Sequence, residues 1–406
     1  MGFELQPTTE PGRRFVAQAE AHARDFATRA DEHDRGATFP LENMSALRRS
    51  GFTAATVPHE LGGWGLDSVL DYAIGIARLG RGDGSTALAA NMHVFRTWFV
   101  ARAWRASQAS GEPAAAKRSA ELLRGVAGGE VVLAAILSEA GTDHLHIRTE
   151  ATRVDGGWRI NGRKAFGTGS PGATVLGILV RYPGAGGEPR VALAHVPATA
   201  PGVEIKHNWD ALGMRGSGSH DIVFTDCFVP DEDLADTGPW GRYTERYLAG
   251  NAVGTLGLVA VFLGIAECAR DTILETIAAR GSAGRHAVQQ GVAEMEIALA
   301  TSRAMVERSG RLMDAFFARH GHRMPPLAEL HELMLDFQCT KAVVTQQAIV
   351  VVDRALTLSG GSGYLSKNPL SRLYRDVRAG PFMQPFSPYE ALEYIGRVTL
   401  GVLEES

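Results

Sequence analysis

From Arg14 to about Arg105, apolar positions recur at helical spacing: Phe15, Ala19, Ala23 and Phe26 share one face, with charged residues between them. Phe39-Pro40 breaks the pattern, a short helix is predicted over 42–49, and the glycine and proline density of Pro58 to Gly65 predicts a loop. Residues 70–79 and 85–98 predict buried helices, and Gly111-Glu112-Pro113 precedes one more over 114–123. At Val131 the texture changes. Val131 to Leu137 is a continuous apolar run of strand length, 148–154 alternates, and Asp155-Gly156-Gly157 is a strong turn signal before Trp158 to Gly162. Further strands are predicted at 174–180, 190–196, 203–207 and 221–228, with no long helix among them, which indicates a small antiparallel barrel or sandwich. Past Pro239-Trp240 four long helical segments follow, 248–277, 287–318, 327–357 and 388–403, and these predict a bundle. The pattern is α+β in three parts: an N-terminal helical domain over 1–130, a middle antiparallel β-barrel domain over 131–238 and a C-terminal four-helix bundle over 239–406.

Composition narrows the class. The chain of 406 residues is long enough for two or three domains and a large core. A formal net charge of -4 argues against a nucleic-acid partner, which needs a basic stripe for phosphates. Cys227, Cys268 and Cys339 lie far apart with no CxxC pair, so they read as buried thiols of a reducing compartment and no metal site is predicted. The stretch Met1 to Gln6 lacks a basic region leading into an apolar core, so a cytoplasmic protein without a signal peptide is expected. Leu256 to Ala266, the longest apolar run, is about half a membrane span and reads as a buried helix rather than a membrane segment.

Four stretches carry candidate chemistry. Leu212-Gly213-Met214-Arg215-Gly216-Ser217-Gly218-Ser219-His220-Asp221 is a tight glycine-rich loop feeding a strand, and Leu358-Ser359-Gly360-Gly361-Ser362-Gly363-Tyr364 is a glycine turn closing a long helix. Leu137 to Asp143 and Arg163 to Gly169 place hydroxyls and glycines at strand ends. Such groups make turns, and they also suit an isoalloxazine ring, which needs donors at its polar edge and an apolar face beside it. In this order and separation the stretches resemble the acyl-CoA dehydrogenase superfamily, as an atypical member. The resemblance implies a flavin, FAD or alternatively FMN, between the β-domain and the bundle. It assigns Ser138 and Thr142 to one flavin loop, Phe166 to the flavin face and Thr168 to the flavin N5. It also implies that Arg280 reaches the pyrophosphate of a partner subunit's flavin and that Gly360-Gly361 receives the adenine, hence a homodimer or homotetramer. Three departures stand out: the first loop is about two residues short, Phe166 replaces a common tryptophan, and Ala283-Gly284 replaces phenylalanine-glycine. Without the resemblance, Arg280 is a surface arginine at a helix C-terminus and the turn an ordinary helix stop.

The catalytic base is the open position. In the family the proton-abstracting glutamate follows the Arg-Asp pair, here Arg375-Asp376, by eight residues, which lands on Gln384. A neutral amide cannot act as a general base. A register with six inserted residues places Glu390 there instead, yet Ser387-Pro388-Tyr389-Glu390 also reads as a helix capping box. The alternative base position on the first bundle helix falls near Gly254. Pro58 to Gly65 reads as acyl-pocket lining by resemblance or as a structural loop, and His144 and His146 as solvated. Three functions follow. The first is α,β-desaturation of an acyl-CoA or carrier-protein thioester, with Glu390 as provisional base and an electron-transfer flavoprotein as acceptor. The second is a monooxygenase fed by a flavin reductase and O2, with Gln384 as a hydrogen-bond donor. The third is a flavin-binding relative without dehydrogenase turnover.

Overall fold

A computed structural model describes residues 3–403. Six helices open the chain: α1 (Glu10–Phe26), α2 (Ala30–Gly36), α3 (Leu41–Arg49), α4 (Val69–Gly80), α5 (Gly84–Ala109) and α6 (Pro113–Gly128). The Thr9 hydroxyl caps α1 by accepting from Gly12 N, and Phe15, Ala19, Ala23 and Phe26 are its buried face. Asp83 caps α5 by accepting from the amides of Ser85 and Thr86. All of α4 is buried, which explains why its sequence shows no polar face.

Eight strands follow: β1 (Leu133–Ile136), β2 (Glu150–Val154), β3 (Gly157–Gly167), β4 (Val175–Pro183), β5 (Pro189–Pro197), β6 (Val203–Ile205), β7 (His220–Pro230) and β8 (Leu234–Pro239). They form one sheet in the order β6-β7-β3-β2-β4-β5-β8, with β1 paired to β4. The sheet is mixed. Most neighbours are antiparallel, but β1 runs parallel to β4 along its whole length and β2 meets β4 in parallel at one end. The departure from an all-antiparallel barrel has a simple cause. β1 enters from α6 rather than through a hairpin, so no tight turn fixes its direction. Alternating residues, among them Ile160, Leu176, Ile178, Val196, Ile222 and Phe224, fill the inner face.

The C-terminal part holds α7 (Glu245–Ala279), α8 (His286–His320), α9 (Leu327–Ser359), α10 (Pro369–Val377) and α11 (Pro388–Leu400). The long α7, α8 and α9 pack together, and α7 and α8 also pack onto α4, so one apolar core runs from the first helices into the last. Glu267 of α7 ties the two helical parts further, 2.7 Å from Arg81 and 2.8 Å from Arg303, and both Glu267 and Arg303 are buried. Among the described residues α7 alone is long and apolar enough to cross a membrane, and it lies inside this core. The expected four helices are present, and α10 is an addition. Its arginines, Arg372 and Arg375, face carboxylates of α2 rather than solvent, which hid its amphipathic character in the sequence.

Candidate functional site

The glycine-rich loop before β7 is docked on α10. Asp376 accepts from Met214 N at 2.5 Å, and a Cβ on Gly213 would lie 2.3 Å from Arg375 O, so only glycine permits this approach. Arg375 binds Asp34 of α2 at 2.9 Å, so the Arg375-Asp376 pair clamps three segments together. Burial, opposed by Arg372, pushes the Asp376 carboxyl up to about 6.

Beside this clamp opens a cavity of about 2050 Å³. Single small-ligand pockets rarely exceed about 1,000 Å³, so the space suits two ligands together. Ser138, Phe166, Thr168, Gly254 and Gln384 all line it. Phe166 sits at φ 55, where a bulky side chain is strained. A register shift between Lys164 and Gly167 turns its ring outward. The ring is 58% exposed, edge-on to Trp209 with centroids 6.0 Å apart. An aromatic held out at such cost is a surface made for a partner. Behind it the hydroxyls of Thr168, Ser219 and Ser217 form a chain, with links of 2.8 and 2.7 Å. Ser138 bonds His144 Nε2 at 3.1 Å. His144 is buried, not solvated as the sequence suggested; burial first and the Lys164 charge second hold it down to about 4. His146 is exposed against Asp143. The first loop is anchored by a buried ion pair that the sequence did not reveal: Lys164 Nζ lies 2.6 Å from Glu139, which also accepts from the amides of Arg148 and Thr149. An apolar ring, a hydroxyl chain and a strained loop fit a flavin.

Gln384 has its own support. Buried Lys341 donates to Phe386 O at 2.5 Å and to Met383 O, and so grips the chain on both sides of Gln384. Sequence reading missed Lys341, because a lysine inside a helical run looks like solvated surface. Ser217 and Ser219 were within the quoted loop, and their hydroxyls beside a strand start were the available signal.

Other candidates lie apart from this cavity. Thr142 donates to His146 O at 2.7 Å, within its own loop. Arg280 donates to Ser359 O at 2.9 Å and to Ser362 Oγ at 2.8 Å, bracing the turn that holds Gly360 and Gly361. Glu390 is exposed and binds Ser387 N at 2.6 Å in a capping box. Within Pro58 to Gly65, Leu61 and Trp64 pack into the apolar cores, which makes this a structural loop. Among the described residues no group of histidine, cysteine and carboxylate side chains is arranged to hold a metal.

The cavity is also strongly charged. Eight arginines and four carboxylates line it, although the chain carries a formal net charge of -4. The carboxylates Glu112, Glu232, Asp233 and Asp236 come from the N-cap of α6, the turn before β8 and β8 itself, not from α7 or the Gln384 segment. Such focusing of positive charge favours anionic ligands.

Models of the acyl-CoA dehydrogenase N-terminal, middle and C-terminal domains match residues 9–104, 137–227 and 256–386. The chain belongs to the acyl-CoA dehydrogenase family, and is thus a flavoprotein oxidoreductase. It is 35% identical to an amino sugar nitrososynthase of Streptomyces rubradiris over 97% of this chain and 91% of that one. It is 34% identical to the amino sugar nitrososynthase DnmZ of Streptomyces peucetius, over 98% and 95% of the two chains. Among solved structures, KijD3 in complex with FMN and dTDP-3-amino-2,3,6-trideoxy-4-keto-3-methyl-D-glucose superposes with a TM-score of 0.91 at 34% identity, covering 98% of this chain and 96% of that chain. These likenesses carry flavin-dependent oxidation and do not specifically carry desaturation of a thioester.

Proposed function

We propose that this protein is an FMN-dependent N-oxygenase that takes the primary amine of a nucleotide-linked amino sugar to the hydroxylamine and on to the nitroso compound. One observation carries the reading: of the three positions where the family resemblance puts a catalytic base, Gln384 and Gly254 line the cavity and are neutral, and the carboxylate of the third, Glu390, lies outside it. A carboxylate there would hold the substrate as an ammonium, which has no lone pair to oxidise. An amide and hydroxyls leave the amine free and still orient it by hydrogen bonds. The nitrososynthase relatives and the FMN and amino-sugar ligands of KijD3 support the same direction.

Bound FMN, reduced by a separate flavin reductase, supplies the two electrons with which O2 yields one inserted oxygen atom and water. In the first round the amine and O2 give hydroxylamine and one water; in the second, hydroxylamine and O2 give the nitroso product and two waters. Phe166 offers an apolar platform, and Thr168, with its hydroxyl chain through Ser219 and Ser217, offers donors at the polar edge. Gln384, gripped by Lys341, orients the amine. Glu390 serves as the cap of α11, and an electron-transfer flavoprotein has no part in this scheme. The homodimer or homotetramer that the family implies is proposed with it, and exposed Tyr364 and Leu365 beside the glycine turn are apolar surface that an assembly would cover.

The test supplies purified protein with FMN, a flavin reductase, O2 and a thymidine-diphosphate-linked 3-amino sugar, and follows the product by mass spectrometry. Hydroxylamine and nitroso products are expected. Anaerobic bleaching of the bound flavin by an acyl thioester, with no oxidation of the amine, overturns the reading.

A further inference from the structure

Away from Phe166 the cavity runs along α5, where Leu88, Met92, Phe95, Arg96 and Phe99 form its stripe. Arg96 makes no hydrogen bond or ion pair with any described residue, and its guanidinium opens to the cavity. It rests against the sheet: a Cβ on Gly177 would sit 3.5 Å from Arg96 Nη2 and 3.6 Å from Nε, in van der Waals contact with the guanidinium. Directly across the ladder from Gly177 stands His195, which lines the same cavity and whose Nε2 is shut off from solvent with no partner. Burial and the neighbouring Arg96 hold this imidazole down to about 4, and burial brings Arg96 to about 10. A half-buried cation facing the cavity beside an imidazole nitrogen shut off from water, both without partners, is an arrangement that an anion would complete.

The distance from the flavin end identifies what fills it. Gly169, next to Thr168, touches Ala89 of α5, where a Cβ on the glycine would lie 3.4 Å from the Ala89 Cβ. Arg96 lies seven residues further, two turns on along the same face, or about 10 Å. That is about one hexose ring plus a phosphate. We infer that Arg96 and His195, set over Gly177, form a phosphoryl-anion subsite that holds the diphosphate of a nucleotide-linked substrate while its sugar amine reaches the flavin end. This rests on the function proposed above and adds the residues that select the nucleotide.

Isothermal titration of the FMN-loaded protein tests it, with thymidine diphosphate, thymidine and inorganic pyrophosphate as probes. Wild-type protein binds thymidine diphosphate at least about tenfold more tightly than thymidine. Arg96→Met weakens thymidine diphosphate by about tenfold to a hundredfold, the loss expected for a charge-assisted phosphate contact, and leaves thymidine and FMN affinities within about twofold. Its melting temperature equals or exceeds that of the wild type, because an apolar side chain replaces an unpaired, half-buried charge. His195→Gln, which keeps a donor, falls between the two. Unchanged thymidine diphosphate affinity in both variants overturns the subsite and leaves the amine oxygenase intact. A fall in FMN affinity alone assigns the anion to the flavin phosphate and overturns the substrate role. A wild type that ignores thymidine diphosphate yet binds pyrophosphate through Arg96 keeps the anion subsite and overturns the nucleotide-sugar reading.

Discussion

Gln384 and Glu390 are six residues apart and sit in opposite surroundings. Gln384 lines the cavity, and its chain is gripped on both sides by buried Lys341. Glu390 is exposed, and its carboxylate already holds the Ser387 amide at the start of α11. By side-chain chemistry alone Glu390 is the stronger candidate for proton transfer. Placement reverses that order. A carboxylate already bonded to a helix N-terminal amide is spent on the helix, while a free amide on a cavity wall keeps its donors for a ligand.

The largest effect that would sharpen this contrast comes from Lys341→Met. It removes two charge-assisted bonds and leaves Met383 O and Phe386 O unsatisfied, so a loss of about 3 kcal/mol is expected in urea denaturation. Because Lys341 acts through Gln384, kcat for N-oxygenation should fall by about tenfold or more while FMN affinity holds. Wild-type kcat in a destabilised variant would show that the grip serves folding only. Gln384→Ala isolates the amide: kcat drops about tenfold, stability stays within about 0.5 kcal/mol, and FMN binding is unchanged. Undiminished turnover there removes Gln384 from the site.

How much of this was legible beforehand follows the same divide between local and assembled features. Helix faces such as Phe15 to Phe26 and turns such as Asp155-Gly156-Gly157 are encoded by neighbours in sequence, and they appear where periodicity puts them. The loops around Ser138 and Thr168 could be recognised because glycine and hydroxyl residues cluster there. Lys341, Lys164, Arg96 and His195 could not. Each sits in a regular element, and only the folded chain shows that burial strips it of water and sets it beside a partner or a gap. The parallel entry of β1 and the burial of His144 were hidden for the same reason. Both depend on what packs from elsewhere.

A third test asks whether the histidines in and beside the cavity are held neutral. Buried His93 and His144 and half-buried His195 are each held down to about 4, against 6.5 for an ordinary histidine, with loss of hydration the largest cause. Between those values the unfolded chain binds more protons than the folded protein, so stability rises with pH across the window. Denaturation midpoints should therefore fall as pH drops below about 6.5 toward about 4, and His144→Asn should flatten that slope. An identical slope in the variant would mean that His144 is not held neutral. Glu390→Gln probes the other side of the comparison. Loss of a capping contact costs about 0.5–2 kcal/mol, and turnover should stay within about twofold. A collapse in kcat, far beyond the stability change, would restore Glu390 as the base and with it the thioester dehydrogenase.

The smallest expected effect decides the cofactor. In the family resemblance, Gly360-Gly361 receives the adenine of FAD and Arg280 reaches the pyrophosphate of a partner subunit's flavin, and here Arg280 is spent on Ser359 O and Ser362 Oγ of that turn. A Cβ on Gly361 meets nothing within 4 Å, and its φ is not positive, so a valine fits the chain without strain. If the cofactor is FMN, there is no adenine for the turn to receive. Gly361→Val should then change stability by no more than about 0.5 kcal/mol and leave flavin content and FMN affinity unaltered. If the cofactor is FAD, the added side chain occupies the space that the dinucleotide needs, and the purified variant should lose its yellow colour. Flavin released by heating wild type and variant, identified by chromatography and quantified by absorbance, separates the two outcomes. A colourless Gly361→Val protein that regains flavin only at high FAD concentration would return FAD to the site and open the cavity toward the family's thioester chemistry.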